Sequence, residues 1–303
     1  MNTITILIIV LALSLLIYWL IYLSKTNPNK ATYTRGTSNK TYNTTQLLNG
    51  QFDNNLLRLN EYAELSDIVY RRDGKEKVQS FLNWKLIPTP MIDAQPKDRK
   101  KKKLPGFYYE IWELDEATDV KVVAVAFRGT LKSMDWVANL RWVRRLFYRK
   151  TWDHYDQLKA INASMIDSIH DRFASSHKEI QIVSTGHSLG GGLAQYLAYL
   201  NPEVKHVFAF DPSPVTGFYD VKPRSKRNEN KKGIMIYRVF ESGEGLSFIR
   251  KMLTFIYPAP LLLTKDPALI RIRFSFKTAK NALNQHSIRD LANSLLEYKN
   301  KTL

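Results

Sequence analysis

A chain of 303 residues with 44% hydrophobic side chains can bury one large α/β domain and carry an appendage, but not two domains of equal weight. It has no cysteine, which excludes a disulfide framework, a thiolate nucleophile and a cysteine-based zinc site. The formal charge of +17 points to an anionic partner, for which nucleic acid and an anionic membrane surface are the generic options.

Residues Thr3 to Leu23, TITILIIVLALSLLIYWLIYL, contain no charged side chain. That is about the ~20 residues an α-helix needs to cross a bilayer. A secretory leader is the competing reading. Against it, no basic stretch precedes the run, no small-x-small cleavage site follows it, and Tyr18, Trp19 and Tyr22 stand where an interfacial aromatic belt would. The expectation is an uncleaved, single-pass transmembrane helix over 3–23. Lys25, Lys30, Arg35 and Lys40 follow it and no Lys or Arg precedes it, so the positive-inside rule places the rest of the chain in the cytoplasm. Residues 24–50 are rich in Asn, Thr, Ser and Lys without apolar periodicity, which predicts a polar linker, with the folded domain spanning 51–303.

Leu56, Leu57, Leu59, Tyr62, Ala63, Leu65, Ile68 and Val69 outline an amphipathic helix that ends near Tyr70. The basic run at 97–103 reads as a solvated loop. Phe107 to Glu113 and Val120 to Phe127 alternate like two strands of a hairpin. The second closes on Phe127-Arg128-Gly129-Thr130, followed by Asp135-Trp136 and Asn139-Leu140. From Trp136 to Lys150, apolar residues interleave with Arg141, Arg144, Arg145 and Arg149. A basic amphipathic helix of this kind fits a membrane surface as well as it fits a packed helix with one solvated face. A further long helix is expected from Trp152 to Ala174.

Glu179 to Leu200, EIQIVSTGHSLGGGLAQYLAYL, reads as a buried strand, a tight turn and a helix. Its centre, Gly186-His187-Ser188-Leu189-Gly190, has the G-x-S-x-G spacing of a nucleophile elbow, which makes Ser188 the candidate nucleophile. The "FRGT…DW…NL" block followed by G-H-S-L-G-G resembles the class 3 (fungal-type) lipases, and the resemblance runs in order over about residues 55–300. It implies an α/β-hydrolase-like fold, with a mostly parallel central sheet flanked by helices, and a lipid ester as substrate. By the same resemblance, Thr130 contributes to the oxyanion hole through its amide and hydroxyl, Leu189 adds the second amide, and a lid follows Thr130. Acyl transfer builds negative charge on a carbonyl oxygen, and two preorganised donors stabilise it by several kcal/mol.

Val207 to Phe210 reads as a buried strand with Asp211 at its C-terminal end, Lys222 to Lys232 as an exposed insertion, and Ile234 to Phe240 as the next strand. The resemblance aligns the triad acid with Glu244, a glutamate where the family has aspartate. Glu241, Asp220 and Asp211 are the alternatives. Phe255 to Leu263 contains two prolines and cannot be a continuous helix; it either lines an acyl pocket, dips into a bilayer or covers core. Only His206 and His286 follow Ser188, and the order Ser, acid, His selects His286, which precedes a helix expected from Ile288 to Tyr298. His154, His170 and His177 show no metal-ligand spacing, and neither metal nor cofactor is expected.

The reading is a membrane-anchored serine ester hydrolase, with membrane contact through the N-terminal helix and the 136–150 segment. A catalytically silent scaffold that binds a partner or an anionic membrane is the alternative. Nucleic acid is not expected, since no binding motif accompanies the charge.

Overall fold

The computed structural model describes residues 27–71, 78–88, 92, 95–96, 98, 100–116, 119–129, 151–176, 179–242, 265–276 and 287–301. Among the described residues the strands are β1 (Lys30–Arg35), β2 (Ser38–Asn43), β3 (Ser80–Phe81), β4 (Trp84–Ile87), β5 (Lys102–Lys103), β6 (Tyr109–Leu114), β7 (Val120–Phe127), β8 (Thr151–Trp152), β9 (Glu179–His187), β10 (Val204–Phe210), β11 (Met235–Glu241) and β12 (Ala268–Phe274). Ten of them form one sheet in the order β2-β1-β12-β11-β10-β9-β7-β6-β4-β3, while β5 and β8 pair separately.

Alternation along the middle strands explains the layers. On β10, Phe208 and Phe210 point to one face while Val207 and Ala209 point to the other, and both sets are buried. The first face is covered by α1 (Thr44–Leu48), α2 (Leu59–Ile68) and α6 (Ile288–Asn300), through Leu47, Leu65, Leu291 and Leu295. The second is covered by α3 (His154–Phe173) and α4 (Leu189–Leu200), through Leu158, Ile161, Leu193 and Leu197. A sheet buried on both sides is why these strands read as continuous apolar runs.

The expectation of a mostly parallel sheet holds only for the middle. β7, β9, β10, β11 and β12 are mutually parallel, whereas β1, β2, β3, β4 and β6 join by antiparallel pairing, so the sheet is mixed. For β1–β2, β3–β4 and β6–β7 the short connection enforces this, because parallel neighbours need a long crossover. β1 and β2 are joined by Gly36 and Thr37 alone, with Gly36 at φ 59°.

The predicted linker over 24–50 is corrected by the same hairpin. Residues 30–43 form the outer two strands of the sheet, and α1 follows directly. The alternation expected of a strand packed on one face is too weak here to stand out: that face carries Ala31, fully buried, with Tyr33 and Tyr42, partly so, but also Arg35, Ser38 and Lys40. The insertion expected over 222–232 is largely exposed, and it contains a helix, α5 (Arg224–Asn230), that buries Arg227 and Asn230. There the Arg227 guanidinium lies 5.2 Å from the ring centroids of both Phe218 and Tyr219. Asn230 donates to the carbonyls of Tyr199 and Leu200 at 2.9 and 3.0 Å.

The predicted helices before Tyr70, after Trp152 and after Ile288 correspond to α2, α3 and α6, and the hairpin ending at Phe127 to β6 and β7. Among the described residues, no helix is long and apolar enough to cross a membrane. The apolar segment 3–23, the basic segment 136–150 and the apolar run 255–263 lie outside the described residues.

Burial pushes the phenols of Tyr33, Tyr62, Tyr70, Tyr199 and Tyr237 above their ordinary range, with the Asp53 carboxylate adding to the effect at Tyr33 and Tyr237. Their folded-state values exceed the unfolded value of about 10, so the unfolded chain loses these protons first as pH rises. Their contribution to stability is complete below pH ~10 and declines above it. A melting temperature that falls steeply across that point, followed alongside phenolate absorbance, is the expected outcome; an unchanged melting temperature while the phenols ionise would refute it.

Candidate active site

β9 ends at His187, and Ser188 turns the chain into α4 with φ 56° and ψ −120°. A non-glycine residue in that region carries strain of about 1–3 kcal/mol. The turn is held by its backbone: the Ser188 amide donates to the Phe210 carbonyl at 3.0 Å, and the Ser188 carbonyl accepts from the Ser213 and Gly192 amides at 2.9 and 3.3 Å. Leu189 therefore opens a helix in which every residue is buried. Strand and helix can meet so sharply because side chains are missing where backbones touch. A Cβ on Gly190 would lie 2.2 Å from the Phe127 carbonyl oxygen, and one on Gly186 would lie 2.5 Å from the Gly190 carbonyl carbon.

The other wall is the end of β7. A Cβ on Gly129 would sit 2.6 Å from the His187 carbonyl oxygen and 3.4 Å from the Ser188 Cβ, so the loop leading to Thr130 lies against the nucleophile. Arg128 holds the outer side of this loop, with its guanidinium 5.1 Å over the Tyr108 ring and Nη2 donating to the Gly106 carbonyl at 3.3 Å.

One residue joins both walls. Tyr70, just past the end of α2, accepts the Gly129 N–H on its hydroxyl at 3.0 Å. The same hydroxyl lies 3.2 Å from His187 Nδ1 and 3.4 Å from the His187 carbonyl oxygen, either of which can accept its proton. Burial raises its pKa well above the usual phenol range, so it remains a donor. Sequence reasoning used Tyr70 only to mark a helix end, and no local pattern links it to residues 59 and 117 positions away.

Two of the alternative acids stand at the ends of neighbouring strands. Asp211 is 1% exposed with φ 39°, and its Oδ1 accepts the Glu241 amide at 3.3 Å; Glu241 is 3% exposed. The Asp211 amide in turn donates to the Val239 carbonyl at 2.8 Å. Asp220 lies apart, on a single 3-10 turn, Phe218–Asp220. Thr130, Glu244 and His286 lie outside the described residues. His206 sits inside β10, level with Met235 at the start of β11 and therefore at the far end of the sheet from Ser188. Among the described residues, no group of three His, Cys, Asp or Glu side chains could hold a metal ion.

Residues 61–252 match the family model of the phospholipase-like, Tle-like phospholipase domain. No curated protein matches the chain. Among solved structures, the lipase from Rhizopus microsporus var. chinensis is similar at 16% identity and a TM-score of 0.42, over 88% of this chain and 91% of that one. The Rhizomucor miehei lipase propeptide complex is similar at 14% identity and a TM-score of 0.38, over 64% of this chain and 65% of that one. The family match takes in Tyr70, the end of β7, the elbow and the ends of β10 and β11, and so the chain belongs to the Tle-like phospholipase domain family, of the lipase and phospholipase type of ester hydrolase.

Proposed function

We propose that the protein is a membrane-anchored serine hydrolase that cleaves carboxylic ester bonds of lipids, either acylglycerols or phospholipids. The observation that carries this reading is the strained backbone of Ser188, with the Gly129 loop packed against it. In the proposed mechanism the Ser188 hydroxyl attacks the ester carbonyl, and His286 takes the proton and returns it to the leaving alcohol. Glu244 orients His286 and stabilises its charged form. The amides of Thr130 and Leu189 hold the oxyanion; the second of these stands at the first turn of α4, where helix amides point outward unpaired. Water then repeats the sequence on the acyl-enzyme. The anchor is the apolar segment 3–23, and the basic residues after it put the catalytic domain on the cytoplasmic side.

Replacing Ser188 by Ala should abolish fluorophosphonate labelling and lower the hydrolysis of p-nitrophenyl esters by about 10⁴-fold or more. In the same assay Glu244→Gln should cut kcat by up to ~10⁴-fold at an unchanged melting temperature, while Glu241→Gln, Asp220→Asn and Asp211→Asn have milder effects on kcat. Undiminished labelling of the Ser188→Ala protein would end the hydrolase reading. A larger loss at Asp211 or Glu241 than at Glu244 would move the acid to that residue.

Tyr70→Phe tests the link between the two walls. Losing the hydroxyl frees the Gly129 loop, and because that loop leads to the Thr130 amide, kcat should fall by ~10-fold or more while KM for a short ester stays level. A change confined to melting temperature would reduce Tyr70 to a packing residue. For the topology, protease added to intact cells should leave the domain whole, and digestion there would reverse the assigned side.

A further inference from the structure

The N-terminal edge of the sheet stands at the same end as Ser188. β1 runs antiparallel to β12, with Thr32 opposite Arg273 and Arg35 opposite Ile270. β12 is parallel to β11, β11 to β10, and β10 to β9. The row His187–Phe210–Val239–Ile272 meets β1 at Tyr33, so the start of β1, from Lys30, stands at the end of the sheet that presents the nucleophile and extends about three residues beyond that row. The chain is pinned as it arrives. The Lys30 amide donates to the Asn27 carbonyl at 3.1 Å, the Thr44 amide to the Asn29 carbonyl at 2.9 Å, and the Thr44 hydroxyl to the Pro28 carbonyl at 2.9 Å.

Only residues 24–26 separate Leu23, the last of the apolar run, from Asn27. Four Cα steps span at most about 14 Å. Four strand spacings, roughly 19 Å, separate β1 from β9. The entry point is thus close to the catalytic end in height and in lateral distance.

This edge also has one sign of charge. The first acidic residue of the chain is Asp53, and Lys25, Lys30, Arg35 and Lys40 come before it. Lys30 and Lys40 are exposed, as is Arg273 beside them on β12, while Arg35, also exposed, lies opposite Ser38 at the far tip and takes no part in the docking. Asp53 does not offset them outward, since its carboxylate accepts the hydroxyls of Tyr33 and Tyr237 at 3.2 and 2.9 Å. Cations beside an apolar segment fit an anionic leaflet, whereas nucleic acid would leave that segment without a partner.

We propose that the β1–β2 edge is the membrane-docking edge of the domain and that its occupant is the anionic phospholipid bilayer entered by segment 3–23. The short tether and the cationic edge hold the row of strand ends toward that bilayer. Ser188 then draws ester substrate from the bilayer that carries its own anchor, rather than from an opposing one. This inference rests on the anchored ester hydrolase reading.

The absence of cysteine allows a direct test on the full-length chain. Lys30→Cys marks the end of the sheet that presents the nucleophile, and Ser38→Cys marks the far tip of the hairpin, about 17 Å along the strand. Each variant, labelled with an environment-sensitive fluorophore, is bound to phosphatidylcholine–phosphatidylglycerol vesicles containing a headgroup spin-labelled lipid. The label at position 30 should be quenched and the label at 38 spared. Equal or reversed quenching on vesicles that carry the protein through flotation overturns the orientation and leaves the anchor standing; protein that does not float removes both. In parallel, fluorogenic phospholipid placed in the anchor-bearing vesicles should be hydrolysed at least ~10-fold faster than the same lipid in added vesicles, and equal rates overturn the proposal. Hydrolysis of a short p-nitrophenyl ester by the same samples reads the hydrolase assignment separately, so its loss condemns that assignment while the quenching result still decides the orientation.

Discussion

The close approach of the Phe127 carbonyl to Gly190 is the constraint on which the catalytic end of the sheet depends. It brings the end of β7, the end of β9 and the first turn of α4 into backbone contact, and Ser188 has to turn within that space. The strain at Ser188 is about 1–3 kcal/mol. Three backbone hydrogen bonds, each of net worth about 1 kcal/mol, and a helix of 12 buried residues oppose its release. The strained conformation is thus held by the surrounding fold, and the hydroxyl is presented without a further ordering step.

Tyr70 extends this constraint to the first helix layer. Its hydroxyl binds an amide of one wall and faces two acceptors of the other, so a single oxygen bridges loop and elbow. α2 thereby acquires a role beyond covering the sheet. Further down the same face, Ser66 of α2 and Thr185 of β9 share a hydrogen bond at 2.8 Å, and Thr185 also reaches the Tyr62 and Phe208 carbonyls. Fully buried polar contacts of this kind resist sliding, because displacement leaves hydroxyls without partners.

What could be read from the sequence was whatever depended on neighbours in the chain. The elbow was legible because glycine spacing, a β-branched strand and an apolar helix are local signals, and the hairpin ending at Phe127 because its alternation is strong. The 30–43 hairpin was not, since a one-sided edge needs few apolar residues and Thr-Asn-Lys composition looks like a linker. α5 was hidden in a different way: Arg227 counts as a surface cation until the adjoining rings of Phe218 and Tyr219 are seen beside it. The link made by Tyr70 depends on contacts across 59 and 117 positions, for which one sequence holds no signal.

The Asp53 carboxylate joins Tyr33 of the edge hairpin to Tyr237 in the interior of the sheet while its other oxygen accepts the Asn55 amide at the start of the next helical turn. The hairpin is therefore part of the folding unit. Without it, the Ile270–Arg273 stretch of β12 would present a free row of amides and carbonyls along an apolar strand, the arrangement through which sheets from separate molecules recruit one another. In this protein the polar residues 30–43 act as a guard strand: their lysines, arginine and threonines give the sheet a charged, hydrated margin at which further pairing stops.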